Sequence, residues 1–260
     1  MTATIAKKAL GVIPARLGSS RFPGKPLAEF FGRAMVEHTY EAAARAALLE
    51  KVVVASDSER VLAVIDRVGG GTVLTGACAT GTDRIVQALH LMGDEELEKY
   101  DIVVNIQGDE PGVNPKHIDQ CVAALRNEPP ETVMSTLATP IVDERDALSR
   151  DVVKCVADRN GNALYFSRAL IPHSKDGTFA PLQRTYLRHV GMYAFRKDFL
   201  LEFPSLPPSD LEQAEDLEQL RVLSAGFKIR LVQVESTLPG VDTEADLAHL
   251  KAQWPRSPSP

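Results

Sequence analysis

Val12-Ile13-Pro14-Ala15-Arg16-Leu17-Gly18-Ser19-Ser20-Arg21-Phe22-Pro23-Gly24-Lys25-Pro26 is the stretch around which the rest of the chain is arranged. A short apolar run, Leu10 to Ile13, breaks at Pro14 into a loop carrying three cations, Arg16, Arg21 and Lys25, among small residues and prolines. A buried strand that empties into such a loop is where open α/β proteins hold phosphates, at the carboxyl end of the sheet. A basic surface turn has the same composition, so the loop needs partners before it reads as a site. It lacks G-x-G-x-x-G, which disfavours a dinucleotide fold and an NAD-dependent dehydrogenase. It differs from a P-loop as well, because Pro26 follows Lys25 where that motif has Ser or Thr. No hydroxyl is therefore placed for a metal, and phosphate contact would rest on backbone amides and the three cations.

Outward from the loop, the pattern alternates. Ala34 to Leu49 is alanine-rich with helical spacing, and Lys51 to Ala55 (KVVVA) reads as a buried strand. Ser56 to Glu59 begins a helix running to about Val68, and Thr72 to Thr75 is a short strand. Thr80-Gly81-Thr82-Asp83-Arg84 opens a helix that ends near Met92. Asp101 to Ile106 is the next strand, followed by a helix from about Pro115 to Asn127. Strand and helix alternating at this spacing predict βαβ units, a mainly parallel sheet and an α/β class. Strands then dominate: 133–139, 152–157, 163–166 and 190–195. This strand-rich stretch, about 133–195, is expected as an insertion in a single domain spanning 1–260. Ser209 to Ala225 reads as one amphipathic helix with Leu211, Leu217, Leu220 and Leu223 near one face. Lys228 to Val234 is a strand and Thr243 to Gln253 a helix capped at Thr243. The tail, 254–260, has three prolines and is expected to fray.

Composition removes several function classes. The chain has 260 residues, 44% hydrophobic and 25% charged, enough for a sizeable core. A net charge of −6 argues against a nucleic-acid surface but not against a small anion held by a local cationic loop. Met1 to Ala9 has no apolar core of a secretory signal, and no run approaches a membrane span. Cys78, Cys121 and Cys155 are widely spaced with no CxxC, and read as reduced thiols of a cytoplasmic protein.

Two aspartates supply what the loop lacks. Asp109 directly follows the strand ending at Ile106, and is either a turn residue ahead of Pro111 or a hard oxygen ligand for Mg²⁺. Asp242 precedes the last helix and is either a helix-terminus residue or a second ligand. Paired beside a cationic loop, they would form a nucleoside-triphosphate site.

PARxGSxRxPGKP (14–26), TGTDR (80–84), VNIQGDEP (104–111), ALYFSR (163–168), RHVGMYAF (188–195), LEQLRVL (217–223) and GVDTxxDL (240–247) occur in this order. Together they resemble the 3-deoxy-manno-octulosonate (KDO) cytidylyltransferases, from about Leu10 to Lys251. The first motif alone points only to the wider nucleotidyltransferases. The resemblance implies a Rossmann-like three-layer α/β sandwich whose strand-rich insertion serves the sugar site and a homodimer contact. It implies that Pro14, Ala15, Arg16, Ser19, Arg21 and Lys25, with Thr80, Gly81 and Arg84, hold CTP. Gln107 would contact nucleotide and sugar. Asp109 and Asp242 would ligate catalytic Mg²⁺. Arg168, His189, Tyr193, Glu218 and Gln219 would line the sugar pocket, and a guanidinium at 168 suits an acidic sugar.

The expected reaction transfers CMP from CTP to KDO and releases pyrophosphate, supplying lipopolysaccharide synthesis from the cytoplasm. Arg16, Lys25, Asp109 and Asp242 would be the catalytic set, with Mg²⁺ assisting deprotonation of the attacking hydroxyl. Alternatives are a CMP-sialate or 8-amino-KDO cytidylyltransferase, and a silent nucleotide-binding regulator, which would be expected to lack Asp109 or Asp242.

Overall fold

The computed structural model describes residues 8–18, 21–175, 179 and 186–254. These fall into two compact units. The first draws on Met1–Tyr100, Asn105–Lys116 and Thr237–Pro260, and the second on Asp101–Val104 and His117–Ser236.

In the first unit, β1 (Lys8–Pro14) leads through a small hairpin, β2 (Glu29–Phe30) and β3 (Arg33–Ala34), into α1 (Met35–Ala43). There follow β4 (Leu49–Ser56), α2 (Glu59–Arg67), β5 (Gly71–Leu74), α3 (Gly81–Met92) and α4 (Asp94–Leu97). Strands β1, β4 and β5 run parallel in that order, as the alternating pattern predicts. The central residues of β1 and β4 are apolar and buried because helices cover the sheet, whereas β5 is only partly covered. Gly71 lets β5 approach β4: a β-carbon there would stand 2.9 Å from the Val52 carbonyl oxygen. Helix α1 is shorter than the alanine-rich sequence suggests. Arg45 and Ala46 bond three residues back, to Ala42 and Ala43, which tightens the end into a 3₁₀-type turn and lets β4 begin at Leu49.

The chain's last helix, Glu244–Gln253, also lies in this unit. Trp254 departs from the expected fray: its ring meets Phe30 edge-on at 4.8 Å. An indole buries enough surface to hold a single residue beyond a helix end. Residues 255–260 lie outside the described residues.

The second unit takes the middle of β6 (Tyr100–Asn105) and most of α5 (Pro115–Arg126). It continues through β7 (Thr132–Pro140), α6 (Glu144–Leu148), β8 (Lys154–Ala157), β9 (Ala163–Ser167), β10 (Leu187–Arg196) and α7 (Lys197–Glu202). After α8 (Asp210–Glu215) and α9 (Gln219–Ser224), β11 (Lys228–Gln233) closes it. The strand order is β11-β7-β10-β6, with β8 on β10 and β9 on β8. Strand β11 is parallel to β7, whereas β10 is antiparallel to it. All four strands expected within 133–195 are present. The protein is thus a mixed α/β fold, as its sequence indicates.

Two features of this unit were not legible as periodicity. The single helix expected over Ser209 to Ala225 is two helices, broken at Asp216, which takes a left-handed conformation (φ 52°). Three carbonyls meet Arg168 at the break: its Nε donates to Glu215 O at 2.7 Å, and Nη2 to Asp216 O and Nη1 to Arg150 O, each at 3.2 Å. A guanidinium that satisfies carbonyls at a helix end makes a stop affordable there. Arg221 of α9 then pairs back to Glu212 of α8, at 2.5 and 2.8 Å. Leu217 and Leu220 are buried, but Leu211, expected on the same face, is 45% exposed.

The second feature is a bulge in β10. His189 and Val190 pair with Ala138 and Leu137, but the register then jumps so that Tyr193 pairs with Thr136. The Thr136 hydroxyl serves the bulge, donating toward Met192 O at 2.7 Å and lying 3.0 Å from His189 Nε2. Burial pushes the His189 imidazole down to about 3. The folded protein therefore refuses a proton that the unfolded chain accepts near pH 6.5. Stability carried by this group is present above pH 6.5 and is lost as pH falls toward 3, at up to about 1.4 kcal/mol per pH unit. Denaturant midpoints measured from pH 7 to pH 4 should fall less steeply in His189→Asn than in the parent. Equal slopes would show that this imidazole does not set the acid limb.

Candidate active site

The cationic loop is held from below by Phe22, which is buried against Phe30, Met35, Val241, Leu247 and Leu250. Gly24 turns the chain with φ 74°, a conformation costly for residues with a β-carbon, and its N–H returns to Leu17 O at 3.2 Å. A 3₁₀ turn over Lys25–Leu27 follows, with Pro26 buried. These constraints aim Lys25 inward: its side chain is only 14% exposed.

Asp109 arrives by strand pairing. Ile106 N–H donates to Val12 O at 3.0 Å, which sets 105–109 alongside β1. Gly108 permits the closest approach, since a β-carbon there would stand 2.9 Å from Pro14 O. Asp242 arrives through one backbone bond, Val241 N–H to Asp109 O at 2.9 Å. It is not spent on the helix it precedes. Thr243 caps that helix, and Thr243 and Asp246 satisfy each other in a capping box. The Asp242 carboxylate is thereby left free of the cap and lines the cavity.

These carboxylates converge on one cation. Lys25 Nζ donates to Asp109 Oδ2 at 2.6 Å and to Asp242 Oδ1 at 3.2 Å. Arg21 Nη2 stands 3.2 Å from the same Asp242 oxygen. Arg16 lines the cavity and pairs with no described residue. The cavity has a volume of about 360 Å³ and lies wholly in the first unit. Its walls include Pro14, Ala15, Gln107 and Gly108, and, on the other side, Cys78, Ala79, Thr80, Gly81 and Arg84. Two carboxylates gathered on an ammonium suit a hard divalent cation, which takes oxygen ligands. Among the described residues no cluster of three or more metal-ligating side chains exists, so water or substrate oxygens would complete such a shell.

Thr80 caps α3: its hydroxyl accepts from Asp83 N–H, and Asp83 accepts from Thr80 N–H. Arg84 lines the cavity yet is only 4% exposed. Its guanidinium bonds Asp57 Oδ2 at 2.9 Å, Thr75 Oγ1 at 2.5 Å and Gly76 O at 3.3 Å. It acts here as a strut joining β4 and β5 to the start of α3. Asp57, read from sequence only as part of a capping region, is the missed partner; its position just past the end of β4 was the available signal. Cys78 and Ala79 were missed as wall residues, and nothing in their local sequence marks them. Ser19 lies outside the described residues.

Of the candidate sugar residues, Arg168, His189, Tyr193, Glu218 and Gln219 belong to the second unit and Gln107 to the first. Tyr193, Glu218 and Gln219 line a cavity of about 10 Å³ with Met134, Phe195, Phe203 and Val222. That is room for about one water. Gln219 is 5% exposed and its Nε2 has no hydrogen-bond partner among the described residues. The His189 and Tyr193 rings lie on one face, and the bulge between them brings the rings to 5.5 Å. Arg168 stands apart from this cavity, engaged at the α8–α9 break.

Comparisons with known proteins agree on one family. The cytidylyltransferase family model matches residues 10–229. A 3-deoxy-manno-octulosonate cytidylyltransferase from Protochlamydia amoebophila is 45% identical over 246 residues, covering 94% of this chain and 93% of that protein. A protein of the same name from Leptospira interrogans is 47% identical, covering 93% and 94%. A solved CMP:2-keto-3-deoxy-manno-octonic acid synthetase complexed with CTP superposes with a TM-score of 0.87 at 41% identity, over 95% of this chain and 98% of that one. The chain is a nucleotidyltransferase enzyme and belongs to the cytidylyltransferase family, in its 3-deoxy-manno-octulosonate branch.

Proposed function

We propose that this enzyme transfers CMP from CTP to 3-deoxy-D-manno-octulosonate, releasing pyrophosphate and forming the activated sugar for lipopolysaccharide synthesis. The observation that carries this reading is the first-unit cavity, where Lys25, Asp109 and Asp242 meet beside Arg16. The relatives' names and the CTP-bound relative supply the choice of nucleotide and sugar.

The anomeric hydroxyl attacks the α-phosphorus in line, and pyrophosphate departs opposite. Arg16 and Arg21, with Lys25 once drawn from its carboxylates, hold the phosphates and offset charge on the leaving group. The α3 N-terminus, with its cap satisfied by Thr80 and Asp83, adds backbone amides to the same wall. Asp109 and Asp242 would hold Mg²⁺, which when bound lowers the pKa of the attacking hydroxyl and offsets charge at the α-phosphate. His189 is a poor general base near neutrality, because burial leaves its imidazole only weakly basic. Arg168 recognises the sugar carboxylate by exchanging its two 3.2 Å carbonyl contacts for a bidentate pair.

The protein acts as a homodimer through its strand-rich segment, where Val142, Leu148 and Leu164 are exposed. Its three free thiols fit a reducing cytoplasm. No described helix is long and apolar enough to cross a membrane.

Pyrophosphate release should require CTP, the KDO acid and Mg²⁺ together. Faster release with a sialic or amino-substituted acid would reassign the sugar. Asp109→Ala should abolish turnover while the circular dichroism spectrum is retained; turnover surviving at saturating Mg²⁺ would remove the carboxylate from the mechanism. Arg16→Ala should lower kcat/KM for CTP by roughly 10²-fold, the scale of one lost charge-stabilising donor. An unchanged value would place phosphate contact elsewhere. Light scattering should give a dimer mass, and a monomer would refute the proposed contact.

A further inference from the structure

Lys25 has been counted among the phosphate-binding cations, yet in this structure its ammonium is engaged by carboxylates. Its ammonium is within hydrogen-bond distance of both carboxylates, 2.6 Å from Asp109 Oδ2 and 3.2 Å from Asp242 Oδ1. The side chain is mostly covered, and Gly24 and the buried Pro26 fix where its stem begins. The second cation near Asp242, Arg21, is 68% exposed and, among the described residues, pairs with one carboxylate oxygen. The ammonium thus stands where any cation shared by these two oxygens would have to stand. Two carboxylates placed this close together need a positive charge between them, and the fold supplies one covalently.

We propose that Lys25 is a built-in counter-cation that closes the two-carboxylate site in the nucleotide-free protein. An arriving triphosphate opens the site by drawing the ammonium onto its phosphates. This rests on the nucleotide reading above and adds an order to it: the cation site exists only after nucleotide has entered. A lysine suits the task because its flexible stem carries a compact point charge that can exchange a carboxylate for a phosphate by rotation alone. Linkage makes the effect reciprocal. Nucleotide tightens the cation by the factor by which the cation tightens nucleotide, because both draw on the same displaced ammonium.

The test is direct binding of Mn²⁺ to the full chain without nucleotide, read from the loss of the free-ion electron paramagnetic resonance signal. The parent should bind weakly. Lys25→Met and Lys25→Gln should each bind roughly tenfold more tightly, about the change expected for about 1.4 kcal/mol of removed competition. Adding Asp109→Asn to either variant should cancel the gain, which places the gained ion at this site. Arg21→Gln should change affinity less than either Lys25 variant. Two Lys25 variants guard against one failing to fold, and thermal melts report which is native. Parent affinity equal to that of a folded Lys25 variant would overturn the proposal, as would a gain that survives Asp109→Asn. The functional reading fails on a separate measurement: calorimetry showing that the parent does not bind CTP.

Discussion

One backbone hydrogen bond, Val241 N–H to the carbonyl of Asp109, holds the candidate site of this protein together. It joins the turn after a sheet strand to the segment before the last helix, and it carries both carboxylates to one place. Lys25 meets partners 84 and 217 residues further along the chain, so neither contact has local support. The loop end of the arrangement is secured differently. Phe22 drops into the same apolar cluster that contains Val241, Leu247 and Leu250. Burying such side chains is worth about 1.5–3 kcal/mol each. The loop that carries the cations and the segment that carries Asp242 therefore share one small core. A defect there would disturb both halves of the site at once.

The capping chemistry around that segment shows how a helix terminus and a reactive site coexist. Thr243 and Asp246 complete the helix start by themselves, so Asp242 is not needed for it. At α3 the same device recurs with Thr80 and Asp83, and Arg84 one residue later is tied to Asp57 and Thr75. In both places the backbone is finished with its own neighbours before the pocket draws on any side chain. Preorganisation of this kind is what electrostatic catalysis requires, since groups that are already fixed need no reorganisation during reaction.

The sequence made the first unit readable because its strands end in marked turns and two of its helices, α3 and the last, begin with a capping box. The cationic loop, the Thr80 cap and both aspartates were visible for that reason. The second unit hid more. The break at Asp216 is stabilised by a guanidinium from Arg168, just past the end of β9, and no local pattern announces a cap delivered from elsewhere. The bulge at Gly191 and Met192 depends on Thr136 of a neighbouring strand. The Arg84–Asp57 pair joins residues from a helix and a preceding turn, each of which has an adequate local explanation. Trp254 follows a helix and precedes prolines, which reads as fray until its ring partner Phe30 is known. In every case the deciding contact lies outside the window in which periodicity operates.

Arg16 and Arg21 stand at the cavity on a chain whose net charge is −6. A polyanion approaching from afar meets an overall negative molecule and gains nothing from long-range attraction. At physiological ionic strength the field of a surface charge fades over about 8 Å, so the two arginines are felt only near the entrance. Their influence is confined to the last step of an encounter. Capture in this protein is a contact-range event, and added salt would act on retention of the anion more than on its rate of arrival.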